Sequence, residues 1–478
     1  MRICLILEGC YPFIKGGVST WMHQYITEMP EHEFVLWVIG AKAEDKDNFQ
    51  YTLPKNVVEI HQVFLDDALR VKDSGIFNYT FNDAEMQAHR ELVTSGNPNW
   101  DLLFDLYQVK QINPMSYLKS QSFLETLTKT CEEEFPFIAF SDAFHSVRSR
   151  LLPVLYLMGT EVPKADCYHA ISTGYGGLLA SMGAYIYNKP LLLTEHGIYT
   201  REREEEIIRA KWVERAFKPH WINFFYMLSD LIYKRAFRVT SLFTRAMHTQ
   251  IDMGCAPEKC RVIENGISYE RFCDIPLKED DGKVVIGAVI RLVPIKDVKT
   301  LIYAFFELTC RMDNVFLYVM GNKTEDPEYA AECEALAAQL GLGEDKIAFT
   351  GPVNVVEYLE KCDFTILTSL SEGQPLSVLE SFAAHRPCVT TDVGCCSELI
   401  NGKPEDTLGK AGYFVPPMQR EKLADAMEMM CESGDLRREM GEIGQQRAYK
   451  YFRYNIMLTK YRDLYKEVET EWQASALN

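Results

Sequence analysis

A proline stands between two glutamates in the segment SLSEGQPLSVLES, residues 369–381. The segment begins at the end of the apolar run DFTILTS, whose composition is typical of a buried strand. Pro375 fits the first position of a helix, and the backbone N–H groups of Leu376 and Ser377 would then be free to bind an anion such as phosphate. The pattern predicts a strand, a turn and a helix whose N-terminus can hold a phosphate group.

Glu372 and Glu380 flank this helix start. A carboxylate repels phosphate, but it accepts hydrogen bonds from sugar hydroxyls. A phosphate site between two acids therefore suits a nucleotide-sugar, with Glu372 toward the hexose and Glu380 toward the ribose. Gly373 and Gln374 complete the turn that would bind this ligand. The structural alternative is that Glu380 interacts with the helix dipole and Glu372 is a loop charge, at about a few tenths of a kcal/mol each.

Two cations, Arg291 and Lys296, stand five residues apart in the segment AVIRLVPIKDVKTL. This segment reads as a short loop between the strand VVIGAVI and a helix. Arginine offers a rigid fork of donors and lysine a point charge, so the two side chains could clamp a diphosphate. The alternative is a pair of ordinary solvated loop charges.

The N-terminal half offers weaker candidates. Gly16 and Gly17 precede a helix predicted to run from Val18, where backbone N–H groups could approach an anion, although a plain turn would need no more than this. His196 directly follows the buried run PLLLTE and could hydrogen-bond a substrate hydroxyl or stabilise positive charge. His169, in CYHAIST, is a comparable candidate with less support. For both histidines the alternative is a side chain whose hydrogen bonds are satisfied within the protein.

Apolar runs of strand length alternate with amphipathic runs of helix length along the chain. This rhythm is typical of parallel sheets covered by helices on both faces, and ligands of such sheets bind at the carboxyl ends of the strands. The predicted strands are RICLIL, FVLWVIG, DCYHAI, PLLLTE and RVTSL in the first half, and VVIGAVI, VFLYVMG, KIAFTG, DFTILTS and PCVTTD in the second. The candidate residues follow several of these runs directly.

At 478 residues the chain is too long for one core, so we expect two α/β domains with doubly wound parallel sheets. The polar stretch DIPLKEDDGK, residues 274–283, is the predicted boundary. It divides the chain into an N-terminal domain, 1–275, and a C-terminal domain, 283–452. Residues 65–135 fit the alternation poorly, and we assign them no function.

Composition and charge limit the function. Apolar residues make up 47% and charged residues 25%, with a formal net charge of −18, which argues against nucleic acid as a partner. No uncharged apolar run reaches the length of a membrane-spanning helix, and MRICLILEGCYPF reads as a first strand rather than a signal peptide. The 14 cysteines lack metal-site spacing, which favours reduced thiols in a cytoplasmic protein.

Taken together, the motifs resemble those of the retaining glycosyltransferases of family 4. The E-x7-E spacing, the R-x4-K loop, the N-terminal Gly-Gly pair and TDVGCCSELI stand in the order that the family shows. A closer resemblance, carried by EGCYPFIKGGVSTWMHQ, KADCYHAISTGYGGLLAS and LLLTEHGIYTRERE, is to the PelF-type enzymes of Pel exopolysaccharide biosynthesis. The resemblance implies the GT-B fold, in which two Rossmann-like domains face each other across a cleft.

The resemblance also implies the chemistry. A hexose or N-acetylhexosamine would pass from a UDP-sugar to a growing exopolysaccharide, with retention of configuration and without a metal or separate cofactor. The implied roles are diphosphate stabilisation by Arg291 and Lys296, sugar binding by Glu372, ribose binding by Glu380, contact near the reacting carbon by His196, and contact with the phosphate or the acceptor side by Gly16 and Gly17. Domain closure would bring these groups together.

Partners and location follow from the same resemblance. The acceptor would be a polysaccharide, and an inner-membrane polysaccharide synthase complex would recruit the cytoplasmic enzyme to the inner face of the membrane. Residues 218–237 are aromatic and apolar, but their charges favour a core or interface helix over a membrane-lying one. The terminal helix, 453–478, is expected to pack back on the N-terminal domain.

Two other functions remain open. One is a different GT-B reaction, such as glycogen synthesis, glycoconjugate transfer or nucleotide-sugar epimerisation, which a soluble glucan acceptor or a free sugar product would identify. The other is a nucleotide-sugar-binding scaffold subunit without turnover. The joint presence of the five polar candidates argues against a scaffold, which would not need all of them.

Overall fold

The chain forms two units, each built on its own parallel β-sheet, in a computed structural model that describes residues 1–71 and 79–476. The first unit comprises Met1–Ser241, Ala246–Val262 and the chain from Leu464 onward; the second comprises Leu242–Arg245 and Ile263–Asp463. The predicted fold class, two Rossmann-like doubly wound α/β domains, is confirmed.

The sheet of the first unit has seven parallel strands: β1 (Arg2–Glu8), β2 (Glu33–Gly40), β3 (Val57–Phe64), β4 (Cys167–Ala170), β5 (Leu191–Glu195), β6 (Arg238–Ser241) and β7 (Cys260–Val262). The helices are α1 (Gly17–Thr27), α2 (Asp83–Thr94), α3 (Trp100–Phe104), α4 (Pro114–Leu118), α5 (Gln121–Glu134), α6 (Phe140–Met158), α7 (Gly174–Tyr187), α8 (Tyr199–Arg209), α9 (Lys218–Arg235) and α10 (Thr244–Asp252). The strand order is β3-β2-β1-β4-β5-β6-β7, so the direction of winding changes between β1 and β4.

The second unit has six parallel strands: β8 (Val284–Val289), β9 (Val315–Met320), β10 (Ile347–Gly351), β11 (Phe364–Leu367), β12 (Cys388–Thr391) and β13 (Gly412–Val415). Its helices are α11 (Val298–Thr309), α12 (Pro327–Gln339), α13 (Val355–Leu359), α14 (Leu376–Ala383), α15 (Cys396–Asn401), α16 (Arg420–Glu432) and α17 (Gly434–Tyr451), followed by α18 (Tyr454–Ala476). The order β10-β9-β8-β11-β12-β13 places the change of winding between β8 and β11.

Shorter turns connect these elements. Five-residue π-helical geometry extends α3 over Asp105–Val109. Short 3₁₀ segments cover Ala43–Asp45, Leu65–Arg70, Arg215–Phe217, Pro257–Lys259, Tyr269–Arg271 and Pro294–Lys296. The last of these follows β8 and carries one of the predicted site residues.

Residues 65–135 are largely helical and belong to the core of the first unit. Apart from residues 72–78, which lie outside the described part of the chain, the segment forms the 3₁₀ turn after β3 and the helices α2 to α5. Leu92, Leu103 and Leu127 from these helices are fully buried in the same cluster as the sheet. The segment therefore builds one face of the first unit.

The unit boundaries differ from the predicted ones. Residues 263–275, which the sequence places in the N-terminal domain, group with the second unit, so the polar stretch 274–283 lies inside that unit. Helix α18 starts in the second unit and belongs to the first from Leu464 onward, whereas the sequence assigns 453–478 as a whole to the N-terminal domain. The reason is local: Ile267 forms a parallel β-bridge with Arg453, which ties the segment after β7 to the start of α18.

Helix α9 is a core helix of the first unit, as the sequence predicts. Phe224, Leu228 and Ile232 on this helix are fully buried, and the helix packs against α7 and α8. In the described part of the chain, every helix is too short or too polar to cross a membrane.

A chain of buried hydrogen bonds connects α18 to the first sheet. Tyr25 donates its hydroxyl to that of Tyr465, whose oxygen lies 2.8 Å away, and the Tyr465 oxygen lies 2.7 Å from Nδ1 of His169. On the other side of the ring, Nε2 of His169 lies 2.8 Å from the hydroxyl of Thr194, which contacts the hydroxyl of Thr240. Burial lowers the pKa of His169 to about 3, so the ring is neutral. The candidate role of His169 in substrate binding is therefore replaced by a structural one.

The substitution Tyr465→Phe should destabilise the first unit by about 1–3 kcal/mol, because it leaves the buried groups of His169 and Tyr25 without this hydroxyl partner. Chemical denaturation measures the change in free energy of unfolding. The control is Tyr449→Phe, the same change on a side chain that is 50% exposed, which should cost much less. Equal losses in the two variants would contradict a structural role for this hydrogen-bond chain.

Candidate functional site

A cavity of about 350 Å³ lies in the second unit, at the carboxyl ends of the strands where the winding direction changes. Parallel α/β sheets bind their ligands at this place, and the volume is within the range of small-molecule sites. Its lining comes from the last residues of β8, β9 and β11, from the loops after β8, β9, β10 and β11, and from the starts of α13 and α14. The lining residues are Val289, Ile290, Arg291, Lys296, Met320, Gly321, Pro352, Val353, Val355, Leu367, Glu372, Pro375, Leu376 and Ser377.

Lys296 and Glu372 form an ion pair in the wall of this cavity, and their side chains are only 15% and 12% exposed. Lys296 ends the 3₁₀ turn after β8, and Glu372 follows β11. The hydroxyl of Ser369 donates a hydrogen bond to the same carboxylate, and the hydroxyl of Thr368 donates to the backbone oxygen of Lys296 over 3.0 Å. The two loops are thereby held together, with one carboxylate oxygen shared by an ammonium group and a hydroxyl.

Arg291, the second predicted cation, lines the same cavity from the loop after β8. Its side chain is 55% exposed, and its guanidinium is 2.5 Å from the carboxylate of Glu325. Both predicted cations thus line the cavity, one nearly buried and one exposed.

Helix α14 begins at the cavity. Pro375 occupies the N-cap position, with φ −72° and ψ 113°, and Leu376 is the first helical residue, one position later than predicted. The first N–H groups of an α-helix have no partner within the helix, and here no side chain of the described residues caps them. The N–H groups of Leu376 and Ser377 accordingly add positive potential to the cavity wall.

Gly394 fixes the position of the loop that carries Glu372. Its φ is +57°, and a Cβ atom there would lie 2.3 Å from the backbone oxygens of both Glu372 and Gly373. Beside it, the N–H group of Cys395 donates a 3.1 Å hydrogen bond to the oxygen of Gly373. The turn after β12 thus packs backbone to backbone against the turn after β11, which only glycine permits.

Three predicted ligand residues, Gly373, Gln374 and Glu380, lie outside the cavity wall. Gln374 is buried, and its side-chain oxygen accepts a 2.6 Å hydrogen bond from the backbone of Asn265, so it links the segment after β7 to this loop. Glu380 lies on α14, and burial raises the pKa of its carboxyl group to about 7 against a weaker effect of Arg271. A carboxyl group with this pKa changes its charge near neutral pH.

In the first unit, Gly16 is the N-cap of α1, which begins at Gly17 instead of Val18. The backbone of Gly16 is extended, and a Cβ atom on either glycine would meet no atom within 4 Å. Packing among the described residues therefore does not require glycine at these positions.

His196 follows β5 and contacts Trp21 edge to face, with 4.4 Å between the ring centroids. Burial lowers the pKa of His196 to about 4, so the imidazole is neutral. Its Nε2 atom is buried and has no hydrogen-bond partner among the described residues. An unmatched nitrogen of this kind can bind a hydroxyl group, as the sequence analysis expects.

Glu8, at the end of β1, is a residue that the sequence analysis missed. Its carboxylate accepts a 3.1 Å hydrogen bond from the N–H of Gly176 and a 2.9 Å hydrogen bond from the hydroxyl of Tyr199. The N-terminus of helix α7 therefore holds a carboxylate of the chain itself. Glu8 shows no sequence signal beyond its place at the end of a strand.

The cavity lining also includes Gly321 after β9, and Pro352 and Val353 after β10, which are not among the predicted site residues. A Cβ atom on Gly321 would lie 1.8 Å from the backbone oxygen of Ile290, so glycine is needed for the close passage of these two loops. Gly321 is the last residue of the predicted strand VFLYVMG, and Pro352 and Val353 follow the predicted strand KIAFTG. These positions at strand ends were the available signal.

Two family models match the chain. One, described as "Domain of unknown function (DUF3492)", matches residues 1–258, which is more than half of the chain, and one described as "Glycosyl transferases group 1" matches residues 274–447. The second match contains the cavity described above.

Curated relatives share part of the chain. An MMP alpha-(1->4)-mannosyltransferase of Mycolicibacterium hassiacum is 23% identical over 58% of this chain and 65% of its own length. An N-acetyl-alpha-D-glucosaminyl L-malate synthase of Bacillus anthracis is 29% identical over 36% of this chain and 43% of its own length. The matched part spans less than two thirds of either relative.

Among solved structures, that of the Anabaena protein HepE in complex with UDP and glucose has a TM-score of 0.60 and 15% identity, and it covers 98% of this chain and 99% of its own. Sucrose-phosphate synthase of Thermosynechococcus elongatus gives a TM-score of 0.58 at 15% identity, with 98% and 99% covered. The likeness confirms the GT-B fold over nearly the whole chain.

The substitution Gly394→Ala should displace the loop of Glu372 and lower the free energy of unfolding by about 2–5 kcal/mol, since it adds a clash with two carbonyl oxygens to the strain of a positive φ. Gly341→Ala is the control, because Gly341 has a φ of +74° but a Cβ atom there meets nothing within 4 Å. Denaturation should show a cost of only about 1–2 kcal/mol for the control. Similar losses would show that the contact with Glu372 and Gly373 is not tight.

Proposed function

We propose that this chain, which belongs to the family described as "Domain of unknown function (DUF3492)" and carries a group 1 glycosyl transferase domain, is a glycosyltransferase that uses a nucleotide-diphospho-sugar. The observation that carries this proposal is the cavity that joins Arg291, Lys296, the start of α14 and Glu372. Its cations and N–H groups suit a diphosphate, and its carboxylate suits sugar hydroxyls.

The donor is a uridine diphosphate sugar. The support is the fold shared with HepE, whose structures contain UDP, UDP with glucose, or UDP-glucose. The transferred group is a hexose or an N-acetylhexosamine, and the names of the curated relatives include transferases of both kinds. The proposed role of Glu372 is to accept hydrogen bonds from hydroxyls of this sugar, and that of Glu380 is to accept them from the ribose.

The reaction retains the anomeric configuration. The bond between the anomeric carbon and the diphosphate oxygen breaks, and the acceptor oxygen bonds to the same face of that carbon. The acceptor proton passes to the departing phosphate oxygen. Arg291, Lys296 and the N–H groups at the start of α14 stabilise the negative charge that develops there, as preorganised dipoles and cations do in other enzymes. The transfer proceeds without a metal ion because these groups supply the positive charge.

His196 is proposed to contact the donor sugar near the reacting carbon, on the strength of the family resemblance. A neutral ring with an unmatched nitrogen agrees with this role, since it can exchange a hydrogen bond with a hydroxyl group without bringing a charge. Gly16 and Gly17 are proposed to approach the phosphate or the acceptor with their backbone.

The proposed acceptor is a growing exopolysaccharide of the Pel type, and the proposed setting is the cytoplasmic side of an inner-membrane synthase complex. This part rests on the three long segments of the first unit that resemble PelF-type enzymes. The group 1 match alone would fit transfer to many acceptors.

Nucleotide release from a panel of UDP-, GDP- and ADP-sugars, with a chelator present, tests the proposal. Wild type should release UDP from one donor, and Arg291→Ala and Glu372→Ala should each lower the rate by roughly 100-fold or more, the usual cost of removing one group that stabilises developing charge or orients the substrate. Arg311→Ala, which removes an arginine paired with Asp425 and Glu428, should leave the rate unchanged. Binding of a donor without release from any of them, with acceptor supplied, would favour a scaffold.

The affinity for UDP-glucose should depend on pH through Glu380. Its pKa is raised to about 7, so the carboxylate that accepts ribose hydrogen bonds is lost as the pH falls below 7. The dissociation constant should rise by up to about tenfold per pH unit below that point, and Glu380→Gln should remove this dependence. Calorimetry between pH 6 and 8 suits the test because the diphosphate of this donor does not titrate there.

The matched control for this pH test is Glu332→Gln, a change at a 52% exposed carboxylate, which should keep the wild-type pH profile. A pH-independent affinity in the wild type would show that Glu380 does not contact the nucleotide.

A further inference from the structure

Arg291, the exposed cation of the cavity, forms an ion pair with Glu325, a residue that belongs to none of the sequence motifs. Glu325 lies in the loop between β9 and α12, and its carboxylate is 2.5 Å from the guanidinium of Arg291. The loop starts at Gly321, which lines the cavity next to Arg291. Glu325 thus lies at the edge of the cavity that the proposed function assigns to the diphosphate.

The loop holds Glu325 in place. Before it, the side chain of Asn322 accepts hydrogen bonds from the N–H and the hydroxyl of Thr324, at 2.9 and 2.8 Å. After it, the carboxylate of Asp326 accepts a 3.0 Å hydrogen bond from the N–H of Tyr329 and caps α12. These hydrogen bonds fix the residues on both sides of Glu325. The contact of its side chain with Arg291 therefore does not require the rest of the loop to become ordered.

The two ion pairs of the cavity differ in strength. Glu372 is nearly buried, and a hydroxyl group also donates to it, so its pair with Lys296 is part of the cavity wall. Glu325 and Arg291 are 43% and 55% exposed, and pairs exposed to this degree are weak because water and salt compete with them. The outer pair can therefore open without cost to the fold.

We propose that Glu325 is a placeholder that occupies the guanidinium of Arg291 until a diphosphate replaces it. The proposal rests on the proposed function, because it takes Arg291 as a diphosphate ligand. The planar guanidinium binds carboxylate and phosphate oxygens with the same geometry, so the two anions compete for its donors. A diphosphate wins this competition because it also reaches Lys296 and the N–H groups of α14.

Competition of this kind weakens nucleotide binding and speeds release. Once the diphosphate is bound, the negative carboxylate of Glu325 lies next to the negative diphosphate. Because the Glu325 side chain is exposed, it can rotate into solvent. When the product nucleotide leaves, the carboxylate returns to Arg291. Glu325 therefore limits product inhibition by the nucleotide.

The test compares Glu325→Gln with Glu334→Gln, which removes one negative charge from the neighbouring helix but breaks a pair with Lys323 instead. UDP is the probe, and calorimetry and stopped-flow measurements at low ionic strength give its dissociation constant and dissociation rate. Relative to Glu334→Gln, Glu325→Gln should bind UDP roughly two- to fivefold more tightly, the range expected for loss of an exposed ion pair, and release it more slowly.

A double-mutant cycle isolates the contact. In an Arg291→Ala background, Glu325→Gln and Glu334→Gln should bind UDP equally, because the placeholder has lost its partner. If Glu325→Gln still binds UDP more tightly than Glu334→Gln in this background, the effect is one of general charge and the proposal is overturned. Equal affinities of the two single variants for UDP would also overturn it.

Weaker binding by Glu325→Gln would also overturn the proposal, since Glu325 would then orient Arg291 for its ligand. The proposed function fails separately: if the wild type does not bind UDP at all, the assignment of the cavity to a uridine diphosphate is wrong, and the placeholder falls with it.

Discussion

The pair of Lys296 and Glu372 is the interaction on which the candidate site depends. Two charges that are nearly buried cost several kcal/mol to remove from water, and they persist only where geometry and additional hydrogen bonds compensate. Here the hydroxyl of Ser369 supplies one such bond, and the contact of Gly394 with the backbone holds the loop in place. The start of α14 and the shape of the cavity follow from the position of this loop.

The two units use one architecture for different ends. In the first unit, the N-terminus of α7 binds the carboxylate of Glu8, and His169 spends both ring nitrogens on partners within the protein. In the second unit, the N-terminus of α14 opens into a cavity with Arg291 beside it. A helix N-terminus that already holds an anion has little attraction for another one, so the start of α7 is a poorer site for an anionic ligand than the start of α14.

Much of the fold was predictable because buried parallel strands are continuous apolar runs. The strands that were missed break this rule: β3 reads VVEIHQVF and is partly exposed at the sheet edge, β7 has three residues, and β13 begins with glycine. Arg291, Lys296 and Glu372 were predictable since each follows a strand with a clear signal. Two contacts could not be predicted: that of Gln374 with Asn265 and that of Arg291 with Glu325. Each joins segments that are far apart in sequence and whose residues look like ordinary loop residues.

Helix α18 belongs to the second unit at its start and to the first from Leu464 onward, where Tyr465 enters the core. This has a consequence for recombination between relatives. If the N-terminal half is exchanged at a single crossover after β7, the first sheet comes from one relative and the terminal helix from the other. His169 and Tyr465, which contact each other in the buried hydrogen-bond chain, would then come from different parents. A functional chimaera needs two crossovers, and the segment beyond Asp463 must be inherited with the first 262 residues.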